Sequence, residues 1–503
     1  MQLKAVINIG ASVITMTLAE IGSKDLRIIE TLEQSTRIGN DTFSSGSIRN
    51  ETINAAITTL KGYLKLLREY AVDPKNIRAV ATGAVRDADN ADTFIDRVAV
   101  ATQLNVRVPE PSEVNKITFS LIKPYLDQIK VKPNSLILAL HIGREDTEFI
   151  GIKNSQVEFA NLFRFGTVRV RTEIMTTADL SMQLTPQLVA GFEKSMLRIM
   201  EHISGLKNIS LVLLGAETRF AAMRLGHANM RSCIKLQARS LQKILSEAMS
   251  LPPQNRAAHY NISLADAESL TPALYITTRL MEELKLRTAW FCPADLVNGA
   301  FLENGSKPLR IAMDTQTIGA AWRILAHYHG DEAHAKSVLT LAKTIFKATQ
   351  KQHGLGGSYR LLLEIAAILH DAGTYVSHHA HHKHSAYLIQ SSDIFGLTAG
   401  QQHLVALTAR YHRRSLPQPS HECYAALPRK EKNIVNKLAA VLRVADSLDN
   451  THRDLLRNAK AFVKDETLFI KHPNVIYATG EQVSLGRKKD LFVKTFGLDV
   501  KLI

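Results

Sequence analysis

The chain has 503 residues, of which 45% are hydrophobic, enough for the packed cores of two to four domains at about 150 residues each. Its cysteines, Cys233, Cys292 and Cys423, are widely separated and show no CxxC spacing, which argues against a disulfide framework or a cysteine zinc site and fits a reducing, cytoplasmic setting. The formal net charge of +15 concentrates polyanions around the molecule without choosing among nucleotides, nucleic acid, polyphosphate and acidic lipid headgroups.

In chain order, the first unit reads strand, turn, strand: residues 4–9, then Gly10-Ala11-Ser12, then 13–21. The opening segment is too short before Asn8 and Gly10 to be a signal peptide, and no apolar run reaches the ~20 residues of a membrane span, so no membrane partner is expected. Helices are predicted over 51–70 and 91–104 with a strand over 77–82 between them. The strand–turn–strand unit then recurs, with an apolar run over 135–143, Arg144-Glu145-Asp146, and a second run over 147–152. Two apolar strands broken by an Ile-Gly turn in each half indicate an internal duplication and an α/β fold with a core sheet in each half.

Between 310 and 330 the pattern turns helical and stays so to about Arg457. Asp331-Glu332-Ala333-His334 opens an amphipathic run through Val338, Leu341, Ile345 and Phe346. The apolar run 361–369 leads directly into His370-Asp371, and Gly373 is read as the glycine that ends this helix. A further helix over 434–448 carries Asp446. Strand-like segments return at 467–470 and 490–493.

Imidazole and carboxylate together suit a divalent transition metal, which activates water for phosphoester hydrolysis. The order His334, His370-Asp371, Asp446 on successive helices resembles the HD superfamily of metal-dependent phosphohydrolases. By that resemblance His384 and His412 stand where dinuclear members place additional histidines, with Tyr411 where some have a first histidine of a pair. No Gly-Tyr-Pro signature follows. Nearby basic residues, Arg410, Arg413, Arg414, Arg429, Lys430 and Lys432, would steer an anionic substrate or serve as a solubilising face.

Four segments carry a broader resemblance: 5–12, Ala81-Thr82-Gly83-Ala84-Val85-Arg86-Asp87-Ala88, Ile142-Gly143 with Thr147-Glu148, and Phe165-Gly166-Thr167-Val168-Arg169. Together with 381–389 and 409–413 they look like the exopolyphosphatase and guanosine pentaphosphate phosphatase (Ppx/GppA) family in its long form, over nearly the whole chain. The resemblance implies duplicated actin-like (ASKHA, ribonuclease H-like) subdomains at 1–125 and 126–310, an all-α HD-type domain at 311–457 and a small α+β segment at 458–503. It further implies a homodimer, a divalent metal (Mg or Mn, or a transition metal at the HD site), and release of terminal phosphate from polyphosphate or guanosine pentaphosphate. Glu113 matches the water-activating glutamate, and Arg86, Gly10, Gly143 and Thr147 match the phosphate-binding positions.

The chain departs from that family inside the cleft. Asn8 and His141 replace the aspartates of the two turns, Arg144 and Glu145 replace glycines, and Val114 replaces the second glutamate of the catalytic motif. The glycine-rich turn near 215 is reduced to Leu214-Gly215-Ala216-Glu217-Thr218. Hard cations want anionic oxygen ligands, and side chains at 144 and 145 fill space where backbone would approach phosphate. Three readings stand on the sequence. The chain is a polyphosphate or guanosine pentaphosphate phosphohydrolase working through Glu113 and Arg86, a nucleotide phosphohydrolase working through the HD site, or a non-catalytic sensor of polyphosphate or an alarmone. An aromatic content of 6% without a basic–aromatic repeat makes no case for nucleic acid.

Overall fold

The fold is given by a computed structural model, which describes residues 2–22, 26–131, 134–174, 190, 193–194, 197, 200, 208–227, 231–294, 307–413 and 415–503. Two compact units divide the chain, Met1–Leu309 and Arg310–Ile503. Among the described residues no helix is long and apolar enough to cross a membrane.

The first unit holds two mixed sheets. β1 (Gln2–Ile9), β2 (Val13–Ile21), β3 (Leu26–Ser35), β4 (Ile77–Ala81) and β5 (Val106–Arg107) form one, in the order β3-β2-β1-β4-β5. β6 (Leu136–Ile142), β7 (Thr147–Lys153), β8 (Gln156–Phe163), β9 (Ile209–Leu214), β10 (Ile234–Gln237) and β11 (Thr288–Phe291) form the other, in the order β10-β11-β9-β6-β7-β8. The duplication is visible in the pairing. β1 lies antiparallel to β2 and parallel to β4, and β6 lies antiparallel to β7 and parallel to β9. Each hairpin closes in the same way: the Gly10 N–H donates to the Val13 carbonyl at 3.0 Å and the Gly143 N–H to the Asp146 carbonyl at 2.9 Å.

A strand with neighbours on both edges and helices on its faces must be apolar on both sides. Accordingly Leu136, Ile137, Leu138, Ala139 and Leu140 of β6 are all buried, and Ile7, Ile9, Ile14, Leu60 and Phe94 belong to the core around β1. The helix Asn50–Glu69 turns Ile53, Leu60 and Leu67 inward, each burial contributing roughly 1.5–3 kcal/mol. This is the duplicated actin-like arrangement, and it brings the two glycine turns to one cleft.

The second unit is built around the helix Gly357–Leu369, in which every residue from Leu361 to Leu369 is buried, as a helix apolar all round requires. The helices Glu332–Ala348, Ala399–Arg410 and Arg429–Ser447 pack against it, and His381–Ser391 packs on Ala399–Arg410 and on the turn that follows the central helix. β12 (Lys460–Lys464), β13 (Thr467–Lys471) and β14 (Asp499–Leu502) make a small sheet in that order. The predicted strand over 490–493 is instead part of the helix Asp490–Phe496. Leu491 and Phe492 bury one helical face, and Phe492 meets Phe496 one turn on with ring centroids 4.6 Å apart.

Candidate functional site

Histidines from four helical segments of the second unit converge on one carboxylate. Asp371 ends the segment that follows the central helix, and its Oδ1 stands 3.1 Å from His381 Nε2, 3.3 Å from His412 Nε2 and 3.7 Å from His370 Nε2. On the other side His334 Nε2 lies 3.9 Å from Asp371 Oδ2, 3.6 Å from Asp446 Oδ1 and 3.3 Å from His370 Nε2. Three candidate ligand sets result among the described residues: His334, His370 and Asp446; Asp371, His381 and His412; and His334, Asp371 and the exposed His452, so that Asp371 lies close to both sides of the cluster.

The orientation of the rings decides what this cluster can do. His370 Nδ1 lies 2.9 Å from the Ala367 carbonyl, His412 Nδ1 2.6 Å from that of Ala409, and His334 Nδ1 2.8 Å from the Asp449 carboxylate. Carbonyls and carboxylates only accept, so Nδ1 carries the proton and the Nε2 lone pair faces inward, which is the tautomer a metal ligand needs. Asp449 is itself fixed by the Asp454 N–H at 2.8 Å. Among the described residues no hydrogen bond reaches the buried Asp371 Oδ1. Converging lone pairs around such an oxygen fit a divalent cation.

Electrostatics agree at His370, Asp371 and Asp446. Burial pushes His370 down to about 4 despite the neighbouring carboxylates, leaving a neutral imidazole. Against its burial, Asp371 is held well below the usual carboxylate range by the imidazoles of His370, His381 and His412. Asp446 is likewise held low, by Lys488 first, whose Nζ lies 2.5 Å from Asp446 Oδ2. His334 differs: burial opposes its charged form, but hydrogen bonds to Asp446 and Asp449 and the Asp371 charge lift it to about 10, so a cation at its Nε2 would have to displace a proton.

His334, His370, Asp371, His412 and Asp446 thus come together, and His384 does not. The third histidine at Asp371 is His381, at the start of its helix, and three residues on His384 is carried some 4.5 Å further along the axis. Gly373 has a different part from the one its position predicts. The helix His381–Ser391 passes so close that a Cβ at 373 would collide with the His381 carbonyl and the Ser385 backbone nitrogen, and Ser385 Oγ accepts from the Gly373 N–H at 2.8 Å. Tyr411 turns away into the core, its hydroxyl 2.9 Å from His421 Nδ1. Arg413 reaches His381 Nδ1 at 3.4 Å, while Arg414 lies outside the described residues.

The cleft of the first unit encloses a cavity of about 460 Å³ between the two glycine turns, lined by Asn8, Arg86, Val114, His141, Glu148 and Glu217 among others. The predicted catalytic Glu113 is not among its walls. Its carboxylate closes a capping box on the Glu110 N–H at 3.0 Å and pairs with Arg107. The predicted phosphate ligands are also committed. Gly10 and Gly143 spend their N–H groups inside their own turns, and Thr147 donates its hydroxyl to the Phe165 carbonyl at 2.5 Å. Arg86 donates to Asp146 at 2.8 Å.

Three other donors of the cleft, the backbone N–H groups of Ala11 and Ala84 and the hydroxyl of Thr82, all bind the Glu145 carboxylate. Burial pushes Glu145 and Asp146 above the usual carboxylate range, against Thr82 in one case and Arg86 in the other. Burial raises Glu217 in the same way, and it opposes the charged form of His141, which hydrogen bonding to Glu148 nevertheless raises.

The Ppx/GppA phosphatase family profile matches residues 17–307, more than half of the chain, and the profile of Ppx/GppA phosphatase domain III matches 319–475. The chain belongs to the Ppx/GppA phosphatase family. Its members are phosphoanhydride hydrolases that use divalent metals. The guanosine-5'-triphosphate,3'-diphosphate pyrophosphatase of Pseudoalteromonas atlantica is 22% identical over 473 residues, which cover 90% of this chain and 88% of that one. The protein of the same description from Photobacterium profundum is 21% identical over 451 residues, 88% of this chain and 85% of that one. The crystal structure of an exopolyphosphatase from Cytophaga hutchinsonii superposes with a TM-score of 0.51 at 17% identity over 60% of this chain and 99% of that one, and so shares the fold.

Residue types alone left several members of these sites unseen. His381 is one of several histidines in 378–384, indistinguishable until the helix start is placed. Asp449 acts through the far nitrogen of a residue 115 positions away, and Lys488 comes from the C-terminal segment. The second acidic residue in Asp446-Ser447-Leu448-Asp449 was the available signal for Asp449, since ligand histidines regularly carry a carboxylate partner.

Proposed function

We propose that this chain is a metal-dependent phosphohydrolase whose chemistry is carried by the His/Asp cluster of the C-terminal unit, acting on polyphosphate or on guanosine polyphosphate nucleotides. One observation carries the reading. Three imidazole Nε2 atoms converge within 3.7 Å of the buried Asp371 Oδ1, while the Nδ1 atoms of His370 and His412 are held by backbone carbonyls. His334, His370, Asp371 and Asp446 would hold one divalent cation, and Asp371, His381 and His412 a second. A divalent cation bound there supplies Lewis acidity toward a phosphoryl oxygen and a nucleophilic water at neutral pH.

The protein's own groups do the rest. Asp449 and the carbonyls of Ala367 and Ala409 fix the rings, and Arg413 and Lys488 place positive charge beside the cluster, where phosphoryl oxygens would be received. The substrate class is taken from the family and from the guanosine-5'-triphosphate,3'-diphosphate pyrophosphatases it is similar to, and a homodimer in the cytoplasm is the corresponding expectation for assembly and location.

The test is metal content by mass spectrometry on wild-type and His381→Ala protein, beside phosphate release from guanosine pentaphosphate and tripolyphosphate. The expected result is a loss of one metal equivalent together with most of the turnover. Full turnover in a variant that has lost the metal would remove the reading.

A further inference from the structure

We infer that Glu145 and Asp146 form a built-in anion that fills the phosphoryl cradle of the N-terminal cleft, so that this chain holds its own family's phosphate site shut from within. The cradle is identified by its donors. The Ala11 N–H points from the first glycine turn, the Ala84 N–H and Thr82 hydroxyl from the segment after β4, and the Arg86 and Arg169 guanidinium groups complete one side. Backbone N–H groups from two segments with a pair of arginines are the chemistry that recognises phosphoryl oxygens.

Here every one of those donors is answered by the chain itself. Glu145 Oε1 takes the Ala11 N–H at 2.7 Å and the Thr82 hydroxyl, and Oε2 takes the Ala84 N–H at 2.7 Å. Asp146 takes Arg86 at 2.8 Å and faces Arg169 at 3.5 Å, while Arg169 also binds Asp87 at 2.5 Å. Two adjacent carboxylates therefore stand where two phosphoryl groups would make the same contacts.

The turn that carries them is built to stay. Arg169 Nε donates to the Glu145 carbonyl at 2.9 Å and the Val168 N–H to that of Arg144 at 2.9 Å. Arg144 reaches across the cleft to Ser12 at 3.2 Å and to Asp266 at 2.7 Å. Position 83 is shaped to admit the pair, because a Cβ there would stand 2.6 Å from Asp146 Oδ2 and 2.9 Å from Glu145 Oε2. A glycine turn at 144–146 would leave the donors open, and this sequence has closed them by substituting the ligand's charge for the ligand.

The inference concerns the first unit alone and stands whatever the C-terminal cluster does. Its test uses the full-length protein with inorganic tripolyphosphate as probe, reading hydrogen exchange over 10–12 and 82–86 and binding by calorimetry. Wild-type protein is expected to show no tripolyphosphate-dependent protection in these segments. Glu145→Gly combined with Asp146→Ser is expected to acquire it, and adding Arg86→Ala is expected to weaken that binding at least tenfold. If the double variant does not fold, Glu145→Gln, which keeps the side-chain volume and removes the charge, is read in the same way with a smaller gain. Arg86-dependent protection of the wild-type protein, or a folded variant that gains none, would overturn the proposal.

Discussion

The two candidate sites of this molecule are opposite in their charge balance. In the N-terminal cleft the donors of the phosphoryl cradle each have an acidic partner supplied by the same chain: Ala11, Ala84 and Thr82 bind Glu145, Arg86 binds Asp146, and Arg169 binds Asp87. In the C-terminal cluster acceptors dominate. Carboxylates and inward-facing imidazole nitrogens crowd one another, and the cations within reach are Lys488 on the outer oxygen of Asp446 and Arg413 behind His381. A site whose polar groups satisfy one another has little left with which to bind, whereas a buried cluster of lone pairs is stabilised by whatever cation it can take. The family fold is thus retained in both units, and the proposed function places the chemistry in the second.

The comparison breaks most visibly at Asp371. Asp371→Ala removes the group shared by both proposed ligand sets and is expected to abolish phosphate release and metal binding together, measured as turnover beside metal content. A variant that retains both would return the chemistry to the cleft. Next in size, Asp449→Asn leaves every ligand in place but loosens the His334 ring, and about a 10–100-fold loss in metal affinity or rate is expected. Metal titration that is unchanged would show that the ring is held by other means.

A smaller effect sharpens the other side. Glu113→Ala is expected to cost about 1 kcal/mol of stability through the lost capping box and Arg107 pair, with no change in rate. Thermal melting and phosphate release on one sample separate the two outcomes, and a large rate loss would restore Glu113 as a catalytic group.

The smallest expected effect is on the pH dependence of the C-terminal unit. His353 receives the Leu355 N–H on Nδ1 at 2.9 Å, while its Nε2 lies 2.8 Å from the Phe346 carbonyl, an arrangement for neutral imidazole. Burial holds its pKa below the ordinary value of about 6.5, so the unfolded chain takes up the proton first and stability falls as pH drops below about 6.5 toward the folded value. Denaturant midpoints across that window should fall less steeply in His353→Asn, and parallel slopes would exclude the histidine as a contributor.

Much of the fold was legible because its signals are local. The hairpins at 10–13 and 143–146 read as repeated apolar runs broken by Ile-Gly, and the central helix as an unbroken apolar run into His370-Asp371. The segment at 490–493 was misread because two buried neighbours, Leu491 and Phe492, fit a short strand as well as a helix face until Phe496 is seen one turn on. The sites were legible by residue type and not by register. His334, His370, Asp371, His412 and Asp446 are spaced along separate helices, but which member of 378–384 joins them depends on the close pass of one helix over Gly373. Arg144 and Glu145 read as filling space where backbone would approach phosphate, with nothing in the pattern to pair Glu145 and Asp146 with the cradle's own donors. That these carboxylates take the contacts of phosphate depends on donors 61 and 134 residues away in sequence, which no local pattern encodes.

The most direct measurement is phosphate release from guanosine pentaphosphate by Asp371→Asn and Arg86→Gln proteins, side by side with the wild type at matched folded concentration and with added divalent metal. The account predicts that Asp371→Asn falls to background and Arg86→Gln keeps the wild-type rate. Loss of turnover in Arg86→Gln with full turnover in Asp371→Asn would contradict it.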